Sequence, residues 1–507
     1  MTPEAGKSIL FVDGLWVEKF GVLSLVPHLA AAGFRPRILL TRNTDKLLAE
    51  VEREQPGWVA FPVTTGYHVK ALAMAAAVKR RFPRVRTVFG GPHVTYFPDI
   101  ALRPEVDAAF RGECDRELPE ALLDLCAGRP KEQVANLVFP EARGRDRARS
   151  GNAGERHGRP PAEEGSGDAG NGAGVRFGPL TRLEEDLDSL GFPDREVLYS
   201  RYRFFRDSPY KSFIVSRGCP HACAFCFNRA LRKLYRGKGC FVRTRSPQSV
   251  VAEGKEVHER YGMRLASFED DLLTHDAGWL ERMLTEWKAR VGVPYNLNGM
   301  AGDFARPETV RLLKETGAWC VAFGVETGSE ALRTRLLKKP VRDEQVKEAA
   351  RRLKEAGIRF HTYNMFGLPG EGLEGAVATV RLNREIGTWL ARSTLFEAYP
   401  GTEIGDETAA SGDAGRGEML FGKPVRAGVR GADHAEAVQV ARVQKLSLAA
   451  MRLGLPDDVV RAAARLPLGP FYTALFWASY FRVVREYMQT GTRHLLGLGI
   501  RSMTDLF

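Results

Sequence analysis

The rhythm of apolar and polar positions changes several times along this 507-residue chain, and those changes divide it. Residues 8–12 form a short apolar run of the kind that makes a strand buried on both faces. Similar runs recur at 37–40, 58–61, 87–89 and 108–110, separated by helix-like stretches at 21–33, 45–54, 68–81 and 118–125. Strands alternating with helices predict an α/β fold, a doubly wound parallel sheet over residues 1–139. Residues 140–178 lose nearly all large apolar side chains and are expected to be a flexible linker. The alternation then resumes over 179–405. Strands are expected at 212–216, 264–268, 294–297, 320–323, 358–365 and 394–398, with helices such as 247–261, 307–316 and 343–356 between them. The last region, 406–507, starts glycine- and charge-rich and continues as helical patterns at 435–453, 457–465 and 471–487.

Composition narrows the class. Hydrophobic content of 44% and charged content of 27% are those of an ordinary globular protein long enough for two or three cores. Seven irregularly spaced cysteines are too few for a disulfide framework and fit a reducing cytoplasm. The first residues lack the cationic start and apolar stretch of a signal peptide, and no run of about twenty apolar residues predicts a bilayer span. The net charge of +12 comes from arginines spread along the chain, without a dense basic tract, so no nucleic acid is expected as partner.

The most specific chemistry lies just after the apolar run 213–215. Cys219, Cys223 and Cys226 have CxxxCxxC spacing on one short loop. Three thiolates hold three irons of a [4Fe–4S] cube and leave the fourth open, as catalysis requires. A zinc knuckle with His221 as fourth ligand is the alternative, but a strand, a cysteine loop and a βα series are the wrong context for it. Cys114, Cys126, Cys240 and Cys320 are scattered, so no second cluster is expected.

Polar residues also gather at the expected strand ends, where loops of such sheets and barrels converge on ligands. In the first region these are Thr64-Thr65-Gly66, Gly90-Gly91-Pro92-His93 and Arg111-Gly112-Glu113, with glycines that let backbone approach a flat or phosphate-bearing ligand. In the second they are Glu269-Asp270-Asp271, Asn296 with Asn298, 324–329, 366–371 and 399–402.

The cysteine loop and these five segments, in this order, resemble the radical S-adenosylmethionine (SAM) superfamily. With the first region, the chain resembles its cobalamin-dependent members. The resemblance implies a partial (β/α)6 barrel after a Rossmann-like cobalamin domain, with a [4Fe–4S] cluster, SAM and cobalamin as cofactors. It makes Cys219, Cys223 and Cys226 the cluster ligands and places the backbone of Phe225 near the adenine. It assigns SAM contacts to Asp270, Asp271, Asn298, Glu326, Ser329, Gly367 and Pro369, although the acidic pair also reads as a cap for the helix that follows. It assigns corrin contacts to Thr64, Thr65, Gly90, Gly91, His93, Gly112 and Glu113. One departure stands out: the Asp-x-His-x-x-Gly motif that ligates cobalt from below is absent, the loop reading Asp13-Gly-Leu-Trp-Val-Glu18.

The implied activity is reductive cleavage of SAM and methylation of an unactivated carbon. A ring-forming or oxidative rearrangement without methylation, and a non-catalytic corrinoid- or metal-binding protein, are the alternatives; a flavodoxin-like nucleotide binder is the alternative for the first domain alone. A small-molecule or lipid-like substrate and a flavodoxin- or ferredoxin-type electron donor follow. The aromatic helix at 471–487 is expected to pack over the barrel mouth, or to line an apolar pocket or touch a membrane interface.

Overall fold

The computed structural model describes residues 7–15, 17–141, 174–399, 401–410 and 434–488. Most of the expected linker, the stretch 411–433, Trp16 and Pro400 lie outside the described residues. The first sheet contains β1 Ser8–Asp13, β2 Arg35–Leu40, β3 Trp58–Pro62, β4 Arg86–Gly90, β5 Ala108–Phe110, β6 Leu137–Pro140 and β7 Val175–Phe177. Its order is β2-β1-β3-β4-β5-β6-β7, with β1–β5 parallel and the last two strands antiparallel. Strand positions alternate between two cores: Ile9, Phe11, Trp58 and Ala60 pack on one face, and Leu10, Val12, Val59 and Phe61 on the other. Near-continuous apolar runs are what a sheet covered on both faces demands.

The two ends of segment 140–178 are paired with each other: Val138 with Phe177 and Pro140 with Val175. The described ends of that segment therefore extend the first sheet. Residues 187–206, which follow, pack back onto the same domain. Leu198, Tyr199 and Phe205 enter its core, and buried Arg195 joins Glu18 of the first domain to Glu253 of the second.

The second sheet is fully parallel: β8 Tyr210–Phe213, β11 Leu265–Phe268, β12 Tyr295–Gly299, β13 Ala318–Glu326, β14 Arg359–Phe366 and β15 Leu390–Leu395, in the order β15-β14-β13-β12-β11-β8. Between the first two runs a short antiparallel ladder joins β9 Ser216–Arg217 to β10 Arg243–Thr244. The expected strand 212–216 thus splits in two. The last strand begins four residues earlier than expected because Gly387, in the left-handed region, ends the preceding helix and sends the chain directly into the sheet.

The helix His434–Leu453 covers the β15 edge. Val440 and Val443 pack with Phe366, Val377, Val380 and Ala391 in one apolar cluster. The helix Gly469–Tyr487 follows it and places Tyr487 beside Tyr210, Trp319, His361 and Trp389. Those residues start or nearly start their strands, so Tyr487 lies at the amino-terminal end of the barrel. The expected position over the mouth is corrected: the mouth is at the carboxyl ends. Among the described residues no helix is long and apolar enough to cross a membrane.

Candidate active site

The cysteine loop is anchored before its first thiol. Gly218 has φ +84°, and a Cβ there would lie 2.3 Å from the Phe241 carbonyl oxygen, so only glycine fits the turn out of β9. Ala224 is gripped from two sides: its N–H donates to the Leu337 carbonyl (2.9 Å), and its own carbonyl accepts from Ile404 N–H (3.2 Å). Phe225 packs into the small cluster formed by Ala224, Leu337, Leu368, Phe396 and Ile404. The Arg232 guanidinium donates to the carbonyls of Cys219 and His221. Cys226 stands at the residue preceding the helix Phe227–Leu234, and a helix N-terminus favours an anionic sulfur.

All three thiols are half-buried, and burial raises their pKa values, that of Cys223 to about 11. The charge of Cys226 raises Cys219 and Cys223 further. Apart from any metal the thiols hold their protons; a coordinated cation reverses that penalty. No three His, Cys, Asp or Glu side chains among the described residues converge tightly enough for one ion. A three-thiolate set spread over a braced loop fits a [4Fe–4S] cluster.

The strand-end residues divide by what they hold. Asp270 is buried, and its Oδ1 accepts from Val215 N–H (2.9 Å), Ser216 N–H (2.5 Å) and Ser216 Oγ (2.6 Å), while Oδ2 has no partner. Burial pushes this carboxyl up to about 7. Asp270 therefore fastens the strand that feeds the cysteine loop. Exposed Asp271 accepts from Asn228 Nδ2 (2.8 Å), just past Cys226. Asn298 donates to the Asp270 carbonyl (3.0 Å) and accepts from Tyr363 Oη (3.1 Å).

Glu326, at φ +65°, forms a buried ion pair with Lys339 (2.6 Å), and both bear on Cys223. Ser329 serves the backbone, its Oγ accepting from Leu332 N–H (3.3 Å). Gly367 and Leu368 donate to Glu371, whose other oxygen accepts from Thr327 Oγ1 (2.8 Å), so the turn holding Pro369 is tied to the Glu326 loop.

At the carboxyl edge of the first sheet, Gly91 has φ +95°, and a Cβ there would lie 3.0 Å from the Val63 carbonyl oxygen. The Gly90–Gly91 turn thus passes close to the chain that continues into Thr64 and Thr65. Thr65 Oγ1 lies 3.1 Å from His93 Nδ1, and the His93 ring stacks on His68 with 3.7 Å between centroids. Burial holds the His93 pKa down at about 3, so its ring is neutral at ordinary pH.

Gly112 and Glu113 are engaged elsewhere. Gly112 abuts Tyr235, and the Glu113 carboxylate pairs with Arg217 (2.6 Å) and Arg243 (2.5 Å), tying the first sheet to the short β9–β10 ladder. Asp115 completes the network by taking Arg217 in two bonds.

Sequence reasoning missed several residues. Tyr96, just past His93, stacks on Phe227 (4.4 Å) and donates to its carbonyl (3.2 Å). It thereby brings the glycine-loop edge against the cysteine loop. Lys339 belongs to a Lys-Lys-Pro sequence that reads as solvated surface, and nothing local marks it as the partner of Glu326. Arg333 is fully buried and donates to the carbonyls of Val325 and Thr327 and to Asp343, from a π-helical turn of a kind often found at functional sites.

Comparison with known proteins gives the same two parts. Residues 213–382 match the Radical SAM superfamily, and residues 7–122 match the B12 binding domain. An uncharacterized methyltransferase of Pyrococcus horikoshii is 24% identical over 365 residues, covering 71% of this chain and 71% of that protein. The anaerobic magnesium-protoporphyrin IX monomethyl ester cyclase of Rubrivivax gelatinosus is 25% identical over 410 residues, 78% of this chain and 67% of the cyclase. Among solved structures, the radical S-adenosylmethionine methyltransferase TsrM from Kitasatospora setae, with cobalamin and a [4Fe–4S] cluster bound, superposes with a TM-score of 0.62 at 17% identity, covering 85% of this chain and 81% of that one.

Proposed function

This chain belongs to the radical SAM superfamily, in the group that carries a B12-binding domain, and on that premise we propose that it methylates an unactivated carbon of a small-molecule substrate. The observation that supports the reading is the Tyr96–Phe227 contact, which sets the glycine-loop edge of the first sheet directly against the cysteine loop. The bound groups supply reductive cleavage of SAM, hydrogen abstraction and a transferable methyl group.

The chain's own residues hold and shield. Cys219, Cys223 and Cys226 ligate the cluster, and Lys339 lowers the proton affinity of Cys223. Asp271, Glu326, Asn298 and the Gly367–Pro369 turn would hold SAM beside the loop, and the Phe225 backbone would hold its adenine. Thr64, Thr65, Gly90, Gly91 and His93 would hold the corrin. Asp270, Ser329, Gly112 and Glu113 act through the backbone and the domain junction.

Electrons come from a flavodoxin- or ferredoxin-type donor in a reducing cytoplasm, in keeping with seven cysteines that are all free. Contact with a lipid surface is part of the reading: Leu466, Leu468, Phe471 and Trp477 expose about half of each side chain or more, next to Arg465 and Arg482.

The test supplies SAM bearing a trideuterated methyl group to enzyme loaded with cluster and cobalamin under a reductant. Formation of 5′-deoxyadenosine, together with deuterated methyl recovered on the corrinoid, is expected. 5′-Deoxyadenosine without methyl transfer would replace this reading with a ring-forming reaction of the kind the Rubrivivax cyclase is named for. Neither product would leave a binding protein.

A further inference from the structure

Register along the barrel strands decides which side chains look inward. Tyr295, Leu297, Val321, Phe323 and Phe360 join the apolar shell beneath the outer helices. Thr362 and Asn364 bond to Asn383 of the helix Leu373–Ile386, and Ser393 bonds to Ser447 of the helix His434–Leu453. The alternate positions Asn296, Cys320, His361 and Arg392 therefore face the barrel interior. They lie on four adjacent strands: Asn296 is opposite Cys320, Ala322 opposite His361, and Tyr363 opposite Arg392.

This inner row holds a concentration of unmet hydrogen-bonding capacity. Both amide atoms of Asn296, Nε2 of His361 and Nε of Arg392 are buried without a partner. His361 Nδ1 lies 3.8 Å from Cys320 Sγ and uses no other side chain.

Arg392 is the decisive residue. Five other buried or half-buried arginines have carboxylates: Arg195 has Glu18 and Glu253, Arg217 has Glu113 and Asp115, Arg243 has Glu113, Arg245 has Glu253, and Arg333 has Asp343. Arg392 instead lies 5.7 Å from the Tyr363 ring centroid and 5.4 Å from that of Tyr487. The groups that act on it most strongly are the phenols of Tyr363, Tyr480, Tyr487 and Tyr210. Arg392 is half-buried inside the barrel and pairs with no carboxylate among the described residues, and the unpartnered His361 Nε2 and Asn296 carboxamide share its inner row. A buried cation without a counter-charge is destabilising, and an arriving anion relieves it.

We propose that Arg392, with His361 and Asn296, forms the recognition site for an anionic group of the substrate, a carboxylate or a phosphate. The assignment rests on the functional reading above only in calling that anion part of the methyl acceptor. Arg392 supplies the charge and a forked donor, His361 Nε2 and Asn296 Nδ2 supply further hydrogen bonds, and the Tyr363 and Tyr487 rings pack beside the guanidinium.

The test is anaerobic calorimetry on the holoenzyme with benzoate, its neutral counterpart benzamide, and inorganic phosphate. Saturable binding of benzoate alone identifies a carboxylate, and of phosphate alone a phosphate; both together also support the site, with benzamide silent. Arg392→Met is expected to weaken the responding anion about tenfold or more. It should also melt no lower than the parent without anion, because it removes an uncompensated charge. The proposal is overturned if neither anion binds the parent, if benzamide binds as well as benzoate, if Arg392→Met binds as tightly as the parent, or if that variant melts lower without anion, which would mark a structural cation. Iron content and 5′-deoxyadenosine formation are measured on the same samples. Parent enzyme that binds anions yet leaves SAM intact would overturn the functional reading and leave this one standing.

Discussion

At the scale of single residues, the site is held by groups whose surroundings fix their charge. Glu326 and Lys339 form a buried pair, so removing one partner strands the other. Lys339→Met should destabilise the protein by about 3–5 kcal/mol, and adding Glu326→Gln should recover part of that loss. Denaturant titrations of the two variants check this; equal stability of Lys339→Met and the parent would contradict the pairing. His93 makes a pH prediction. Its pKa is about 3 when folded and ordinarily about 6.5 in an unfolded chain, so between those values the unfolded state binds more protons. Its contribution to stability is complete above about pH 6.5 and is lost as pH falls toward 3, with a slope of at most about 1.4 kcal/mol per pH unit. His93→Gln should flatten the acid limb of melting temperature against pH, and an unchanged slope would contradict it. The three cysteines were legible because three residues of one type at fixed spacing carry their chemistry in sequence. Lys339 and Arg392 were not, because what distinguishes them is the presence or absence of a partner from a distant strand or loop.

At the scale of elements, turns carry the precision. Gly218→Ala would place a Cβ against the Phe241 carbonyl at a positive φ, costing at least about 1–3 kcal/mol and misdirecting Cys219. Iron retained after reconstitution should fall well below one cluster per chain; full loading would show that the loop tolerates the side chain. The βα alternation was readable because the first sheet is covered on both faces and the second is packed beneath helices on its outer face, so their strands carry apolar positions. Strands β6 and β7 were not readable as a pair: each is short, and their pairing is made across 34 intervening residues, 141–174, of polar sequence. The split between β8 and β9 was also hidden, because it depends on Asp270 holding the backbone at Val215 and Ser216.

At the scale of the whole molecule, three connections make the two domains a single apparatus: the Arg195 junction, the Glu113–Arg217–Arg243–Asp115 network, and the Tyr96–Phe227 stack. None follows from periodicity, since each joins residues more than a hundred positions apart or links charges that look like ordinary surface. The C-terminal helices complete the barrel from its amino-terminal end and leave an apolar stripe outside. Vesicles of anionic lipid should therefore retain the parent more strongly than a Phe471→Ala, Trp477→Ala variant, and sedimentation of both to the same extent would remove the lipid contact from the account. The central claim is that one chain holds an open iron–sulfur cluster and a corrinoid against each other. Its most direct test is anaerobic reconstitution with iron, sulfide and hydroxocobalamin, followed by desalting and measurement of what stays bound. The account predicts about four irons, one cube's complement, with near-stoichiometric cobalamin per chain. A full cluster with cobalamin lost on desalting would contradict it.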